Sequence, residues 1–400
     1  MASKCIKLFV DAHSFDAGFQ GTQTFIRELY TQLLKYPELD IYWGVEDGDK
    51  VKQLFPSVKP ENILLYKKRR PAILRLVFDI PELIKKHKFD YAHFQYIAPM
   101  QQPNCKYIVT THDVLFNDFP DSFSFAYRVS RNLLFGRSIK NAAIKTTVSN
   151  YSKERIAHHY GIPKEEIKVI PNGVSKLEIS KEFARKNIKA KFGIENFILY
   201  VSRIEPRKNH VLLLSKYLKL ELFKQNIPLV FIGQQSIRVK DLQDIIQKLT
   251  PYQKALFHWF PNVKQDDLNN FYAASRLFVY PSKAEGFGIP PLEAAVCEVP
   301  VLCSSATAMA EFEFFEPHTF NPDNEKEFES KLASIIANPP SQKGLKNTAE
   351  QILAKYQWQQ SAYLFHNLLT IGLRDKPSKI QSISNNINTS QATPGLHFKY

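Results

Sequence analysis

Short apolar runs alternate with longer stretches in which apolar residues recur every three or four positions, and this alternation continues through most of the chain. In the first half the runs fall near residues 6–10, 39–43, 63–66, 91–94, 106–110, 145–149 and 167–170. A second series follows at 197–201, 229–232, 256–260, 277–280 and 301–304. Continuous apolar runs bounded by turn residues read as strands buried on both faces of a parallel sheet. The segment after the first run has the helical period instead. Phe25, Ile26, Leu29, Leu33 and Leu34 share one face of a helix over about Thr22–Leu34. Strand, crossover helix and parallel strand, repeated, make a doubly wound α/β fold. A chain of 400 residues exceeds one comfortable core, and the two series break near Asn172–Lys181. The pattern predicts two Rossmann-like domains, 1–174 and 175–354, with a C-terminal helix of about 355–372 packing back on the first. Residues 374–400, polar and rich in Ser, Asn, Gln and Thr, are expected to be disordered.

Candidate chemistry gathers where the strands end. The run Leu277–Tyr280 leads into Ser282-Lys-Ala-Glu-Gly-Phe-Gly-Ile-Pro-Pro-Leu-Glu293, with Glu285 and Glu293 separated by seven residues. Gly286 and Gly288 let backbone approach a ligand closely, and Pro290 and Pro291 suit a helix start. Glu285 is therefore expected on a strand-end loop and Glu293 in the first turn of the next helix, where open parallel sheets bind ligands. The plainer alternative is a strand-to-helix turn with a capping glutamate. The second series opens on a strand ending in Val201-Ser-Arg-Ile-Glu-Pro-Arg-Lys-Asn-His210. Arg203 and Lys208 there flank a helix start, a cradle suited to a diphosphate, although basic loops of this kind are also ordinary surface. No Gly-x-Gly-x-x-Gly or Walker sequence accompanies it. In the first half, Gly18 and Gly21 lie on the loop Ala12–Thr22, which is either a ligand loop or simply flexible. His112 follows the strand-like run 106–110 and is placed on the same kind of rim, whereas His93, inside a run, reads as structural. No His-Glu-x-x-His or His-x-His spacing occurs, and no metal site is expected.

Composition adds two points. The four cysteines are scattered, without paired spacing, which fits a reducing compartment. No signal peptide precedes the first strand and no apolar stretch reaches membrane-spanning length; a cytoplasmic protein is expected. The formal charge of +14 calls for an anionic partner, since much of it lies in Lys67–Arg70, Lys85–Lys88 and Arg128–Lys140. Apolar and aromatic residues interleave there, as in Phe123–Phe135. Such segments suit an anionic membrane surface; equally, the apolar residues face the core and the charges form a solvated face.

Taken together, the residues from about 6 to 372 resemble the retaining glycosyltransferases of the GT-B fold, in the large bacterial family four. The likeness is strongest over 197–311, where an Arg-x-x-x-x-Lys pair precedes the Glu-x7-Glu string. The resemblance implies that Arg203 and Lys208 bind the donor diphosphate, that Glu285 and the amides of Gly286, Phe287 and Gly288 hold the transferred sugar, and that Glu293 bonds the ribose. His112 matches the histidine beside the donor sugar, and Gly21 the glycine-loop position facing the phosphates; Arg207 falls outside the matched pair. Two departures are visible. Val296-Cys-Glu298-Val-Pro300 replaces the usual Ala-Cys-Gly-x-Pro, and Ala310-Glu311 the usual Pro-Glu; both are expected to reshape loops around the nucleotide. The implied reaction moves a sugar from a nucleotide-diphosphate donor to a saccharide or lipid-linked oligosaccharide, in surface-polysaccharide or lipopolysaccharide synthesis on the inner face of the plasma membrane. It needs no cofactor and no metal. The Glu205-Pro-Arg-Lys-Asn209 form of the loop points to GDP-mannose. The rivals are a sugar-nucleotide epimerase or phosphorylase of similar fold, and a basic nucleic-acid binder, which leaves Glu285 and Glu293 unexplained.

Overall fold

The structure is a computed structural model describing residues 5–16 and 21–374. Seven strands form the first sheet: β1 (Ile6–Asp11), β2 (Leu39–Val45), β3 (Ile63–Leu65), β4 (Tyr91–Gln95), β5 (Lys106–Thr110), β6 (Ile144–Thr147) and β7 (Ile167–Val169). Their order is β3-β2-β1-β4-β5-β6-β7, and each pairing is parallel. The second sheet holds β8 (Ile198–Val201), β9 (Leu229–Ile232), β10 (Phe257–Phe260), β11 (Leu277–Tyr280), β12 (Val301–Ser304) and β13 (Thr319–Phe320). Its order is β10-β9-β8-β11-β12-β13, again all parallel. The fold is thus α/β, with two doubly wound Rossmann-like sheets. Strand β13, only two residues long, is absent from the apolar runs because so short a strand carries no periodic signal.

Each sheet reverses its strand order once, between β1 and β4 in the first and between β8 and β11 in the second. At such a reversal the crossover helices leave in opposite directions and open a crevice beyond the strand C-termini. The loops carrying Lys208 and Glu285 both emerge at the second crevice. Apolar burial explains why the strands are central: Leu199, Tyr200, Phe278 and Val279 are fully buried in the second sheet, as are Leu8, Val10 and Val109 in the first.

The chain crosses between domains near residue 174 and returns through the helix Trp358–Arg374. The crossing is pinned where Val174 N donates to Tyr356 O at 2.9 Å and the Ser361 hydroxyl to Pro171 O at 2.6 Å. The returning helix lies on the first domain, with the Tyr91 hydroxyl on Leu369 O at 2.9 Å and the Phe365 ring 4.9 Å from His93. Arg374 closes this helix; the rest of the tail expected to be disordered, and Gly18, lie outside the described residues.

Candidate active site

Strand β8 ends in a short helical turn, Pro206–Lys208, that folds Lys208 back against the sheet. Its ammonium meets the Glu285 carboxylate at 2.5 Å, and both side chains are nine-tenths buried. Arg207 joins them: Nη1 lies 3.3 Å from Glu285 Oε2 and donates to Ala284 O at 2.7 Å, while Nε pairs with Glu205 at 3.1 Å. The Tyr280 hydroxyl, from the end of β11, donates to Glu285 Oε1 at 2.8 Å. Burial alone would raise the Glu285 pKa, but Lys208 and Arg207 hold it down at about 2. Burial and the adjacent Arg207 bring Lys208 down to about 8, against the pull of Glu285. Arg207, though buried, is kept firmly protonated by Glu285 and Glu205. Arg203 is half-exposed and pairs with Glu205 at 3.2 Å. The cluster places fixed cations in a crevice shielded from water, where they act on developing negative charge far more strongly than in solution.

The first domain closes over this cluster. Both the Ser149 and Ser152 hydroxyls donate to Gly286 O, at 2.7 and 3.1 Å. Ser149 also caps the helix Asn150–Tyr160, and that helix start receives Glu311 of the other domain on Tyr151 N at 2.8 Å. His112 follows β5 and is buried, its ring 5.0 Å edge-on from Phe25 and its Nε2 2.5 Å from Gln95 Oε1. Burial pushes its pKa down to about 3, so the imidazole is neutral. Asp113 reaches across as well: a Cβ on Gly286 would lie 2.8 Å from Asp113 Cβ and 3.1 Å from His112 O. Burial raises the Asp113 pKa, opposed chiefly by Arg207. Asp113 and the His112 carbonyl thus meet the loop that carries Glu285.

Two family models match this chain in series. Glycosyltransferase Family 4 covers residues 19–176, and Glycosyl transferases group 1 covers 181–352, the part that holds the cluster. The chain is a glycosyltransferase, with a Family 4 match in its first part and a group 1 match in its second. It is similar to the O-antigen chain mannosyltransferase RfbU of Salmonella typhimurium, 29% identical over 65% of this chain and 68% of that protein. It is also similar to O-antigen chain mannosyltransferase B of Escherichia coli, 31% identical over 44% of this chain and 46% of that protein; there the chain spans about half the length of its relative. Among solved structures, sucrose-phosphate synthase of Thermosynechococcus elongatus superposes with a TM-score of 0.72 at 18% identity, covering 93% of this chain and 100% of that one. That likeness shows a shared GT-B fold.

Within the glycosyltransferase, the remaining sequence candidates take distinct places. Gly21 opens the helix Gly21–Leu33 with open space where a side chain would be. Phe287 is buried edge-on against Phe312 and Tyr356. Gly288 sits at φ 101°, a region closed to most L-residues, and caps the helix Ile289–Val296. Glu293 is the fifth residue of that helix, in its second turn rather than its first, and accepts from the Tyr272 hydroxyl at 2.7 Å. Burial raises its pKa, opposed by the Tyr272 bond.

Other expectations need correction. Lys208 is not a loop cation open to solvent; the turn Pro206–Lys208 drives it inward. Arg207, outside the matched pair, is more deeply built into the cluster than Arg203. Glu298 does not reshape a nucleotide loop. It lies past the C-terminus of its helix at φ 55°, bonded by Gln342 and by Lys181 through its carbonyl, beside a cavity of about 530 Å³ at the N-terminal ends of β8, β11 and β12. Glu311 meets the start of the first domain's helix, accepting from Tyr151 N at 2.8 Å. Sequence reasoning missed Gln95, Asp113, Ser149, Ser152 and Thr307, whose hydroxyl receives Glu285 N at 2.9 Å. Asp113 and Ser149 also follow strands, so rim position was the available signal. Gln95, at the end of β4, shared that signal, and Thr307, three residues past β12, carried none.

Proposed function

We propose that this glycosyltransferase moves mannose from GDP-mannose to a saccharide or lipid-linked oligosaccharide, with retention at the anomeric carbon, in surface-polysaccharide synthesis. The observation that carries the reading is the buried Lys208–Glu285 pair, flanked by Arg207 and faced by Asp113 across the closed crevice. As the glycosidic bond breaks, charge grows on the departing diphosphate. Lys208 and Arg203 are suited to stabilise that charge without a metal or other cofactor. Glu285 orients Lys208 and is placed to bond the sugar, while Glu293 serves the ribose. No carboxylate need become a covalent nucleophile; the leaving phosphate takes the acceptor's proton on the same face. Closure through Ser149, Ser152 and Asp113 excludes water and so limits hydrolysis. The mannosyltransferase relatives support the choice of sugar. The experiment is product analysis with GDP-mannose and a lipid-linked acceptor, in EDTA. An α-linked mannoside from the α-linked donor supports the reading, and an inverted product refutes it.

For the acceptor's surroundings we infer an anionic membrane surface at the inner face of the plasma membrane, met by the helix Phe125–Asn141. Phe125, Val129 and Leu133 are 76%, 53% and 72% exposed and fall on one stripe at four-residue spacing. The helix contains no acidic residue and carries Arg128, Arg131, Arg137 and Lys140. The other basic segment differs, because Arg69, Arg70 and Arg75 are already paired with Asp79, Glu46 and Asp11. Among the described residues no helix is long and apolar enough to cross a membrane.

A further inference from the structure

Behind His112 lies a row of buried polar side chains that the transfer reaction does not itself use. Gln95 closes β4, and its side chain is packed between two histidines. Its Oε1 stands 2.5 Å from His112 Nε2 and its Nε2 stands 3.1 Å from His93 Nε2. His93 is wholly buried, with Nε2 also 2.7 Å from Thr110 Oγ1 and Nδ1 2.8 Å from the Tyr30 hydroxyl. Thr110 continues to Thr146 Oγ1 at 2.6 Å.

The chemistry of a carboxamide gives this row a direction. Its oxygen only accepts and its nitrogen only donates. The oxygen faces His112 and the nitrogen faces His93. His112 Nε2 must then carry the hydrogen. His93 Nε2 must present a lone pair, which leaves its hydrogen on Nδ1 for the Tyr30 oxygen. Thr110 Oγ1, 2.7 Å from the same nitrogen, shares that one lone pair with the Gln95 amide. A neutral imidazole can exchange its tautomers at small cost in water, but a buried one is held by the partner that would otherwise be left unsatisfied.

We propose that Gln95 is a positioning residue of the active site: it fixes His112 as the Nε2–H tautomer, so that Nδ1 is left as an acceptor for a hydroxyl in the crevice. Tyr30, His93 and Thr110 hold Gln95 in the orientation that does this. The proposal rests on the reading of the crevice as the sugar-transfer site, but its central element is a proton position that can be measured without any substrate. His112 touches the reacting molecules; Gln95 acts through it.

The test is nitrogen-15 NMR of the full chain labelled at histidine, with the His112 signal assigned by its loss in His112→Asn. Wild-type protein is expected to show His112 protonated at Nε2 alone. Gln95→Met keeps the length and removes both hydrogen bonds, and it is expected to abolish the single tautomer. Gln95→Glu restores an acceptor and is expected to restore the Nε2–H signature. In turnover, Gln95→Met should lose roughly 10-fold or more in kcat, the scale seen when the partner orienting a functional imidazole is removed. Its affinity for free GDP should be unchanged, and Gln95→Glu should recover part of the loss. An Nδ1–H signature in wild-type protein, or an unchanged Nε2–H signature in Gln95→Met, overturns the proposal whatever the donor. Failure of every nucleotide sugar to turn over overturns the reaction proposed above and leaves the tautomer result standing.

Discussion

Replacing Lys208 by Met removes a charge while keeping most of the side-chain volume, and the structure sets what should follow. Glu285 would remain buried and ionised, with Arg207 Nη1 at 3.3 Å and the Tyr280 hydroxyl at 2.8 Å as its surviving partners. Breaking a buried ion pair outright costs about 3–5 kcal/mol. With two of the carboxylate's partners retained, Lys208→Met should cost about 3 kcal/mol, the lower end of that range. The double variant Lys208→Met, Glu285→Gln removes both charges and should recover most of this loss, since Arg207 keeps Glu205. Turnover should behave differently. It should fall about 10²-fold or more in the single variant, the scale seen when a charge-stabilising donor is lost, and should not return in the double variant. Urea denaturation and donor turnover on the same preparations give both quantities. An unchanged urea midpoint for Lys208→Met would show that the buried pair does not form in solution. Recovery of turnover in the double variant would show that the charge at Lys208 is not what the reaction uses.

Other outcomes follow from the same crevice. Gly286→Ala puts a methyl 2.8 Å from Asp113 Cβ and 3.1 Å from His112 O, so it should hinder closure and lower kcat about 10-fold or more while sparing GDP binding; normal kcat would contradict the closed geometry. Lys208 has its pKa lowered from 10.5 to about 8, so its charge is present below that pH and lost as pH rises through it. GDP affinity should therefore weaken between pH 7.5 and about 9, and a calorimetric profile flat over that span would refute the role given to Lys208. Glu285, with its pKa lowered from 4.5 to about 2, favours the fold above pH 4.5 and ceases to as pH falls toward 2. Glu285→Gln should accordingly show less acid destabilisation over that window than the wild type, and identical acid unfolding curves would count against the pair. Phe125→Ser with Leu133→Ser should reduce co-sedimentation with anionic liposomes at low salt without altering GDP binding; undiminished co-sedimentation would remove this helix from the membrane account.

The fold was largely readable because it rests on period. Buried runs such as Leu229–Ile232 and Leu277–Tyr280 carry strand character in every residue, and the helix faces between them repeat on schedule. The site was readable only where backbone chemistry leaves a signature, as with Gly286, Gly288 and the paired prolines beside them. What escaped was tertiary. Nothing local says that Arg207 turns inward between Glu205 and Glu285 while Arg203 stays half-exposed, because that depends on the turn Pro206–Lys208 meeting a loop more than seventy residues away. Gln95 reads as the polar end of a strand until His93 and His112 are seen on either side of it. Glu298 looked like a change at the nucleotide because it departs from the Ala-Cys-Gly-x-Pro of the resemblance; the helix Ile289–Val296 carries it to the N-terminal ends of the strands, away from Glu285.

The central claim is that the crevice around Lys208, Glu285 and His112 transfers a sugar from a nucleotide-diphosphate donor. The most direct test is release of nucleoside diphosphate from a panel of nucleotide sugars, with a lipid-linked acceptor, in EDTA, for the wild type and Lys208→Met. Release of GDP from GDP-mannose, acceptor-dependent and reduced about 10²-fold or more in the variant, is the predicted result. A wild-type protein that turns over none of the donors, or a variant that turns them over equally well, would contradict it.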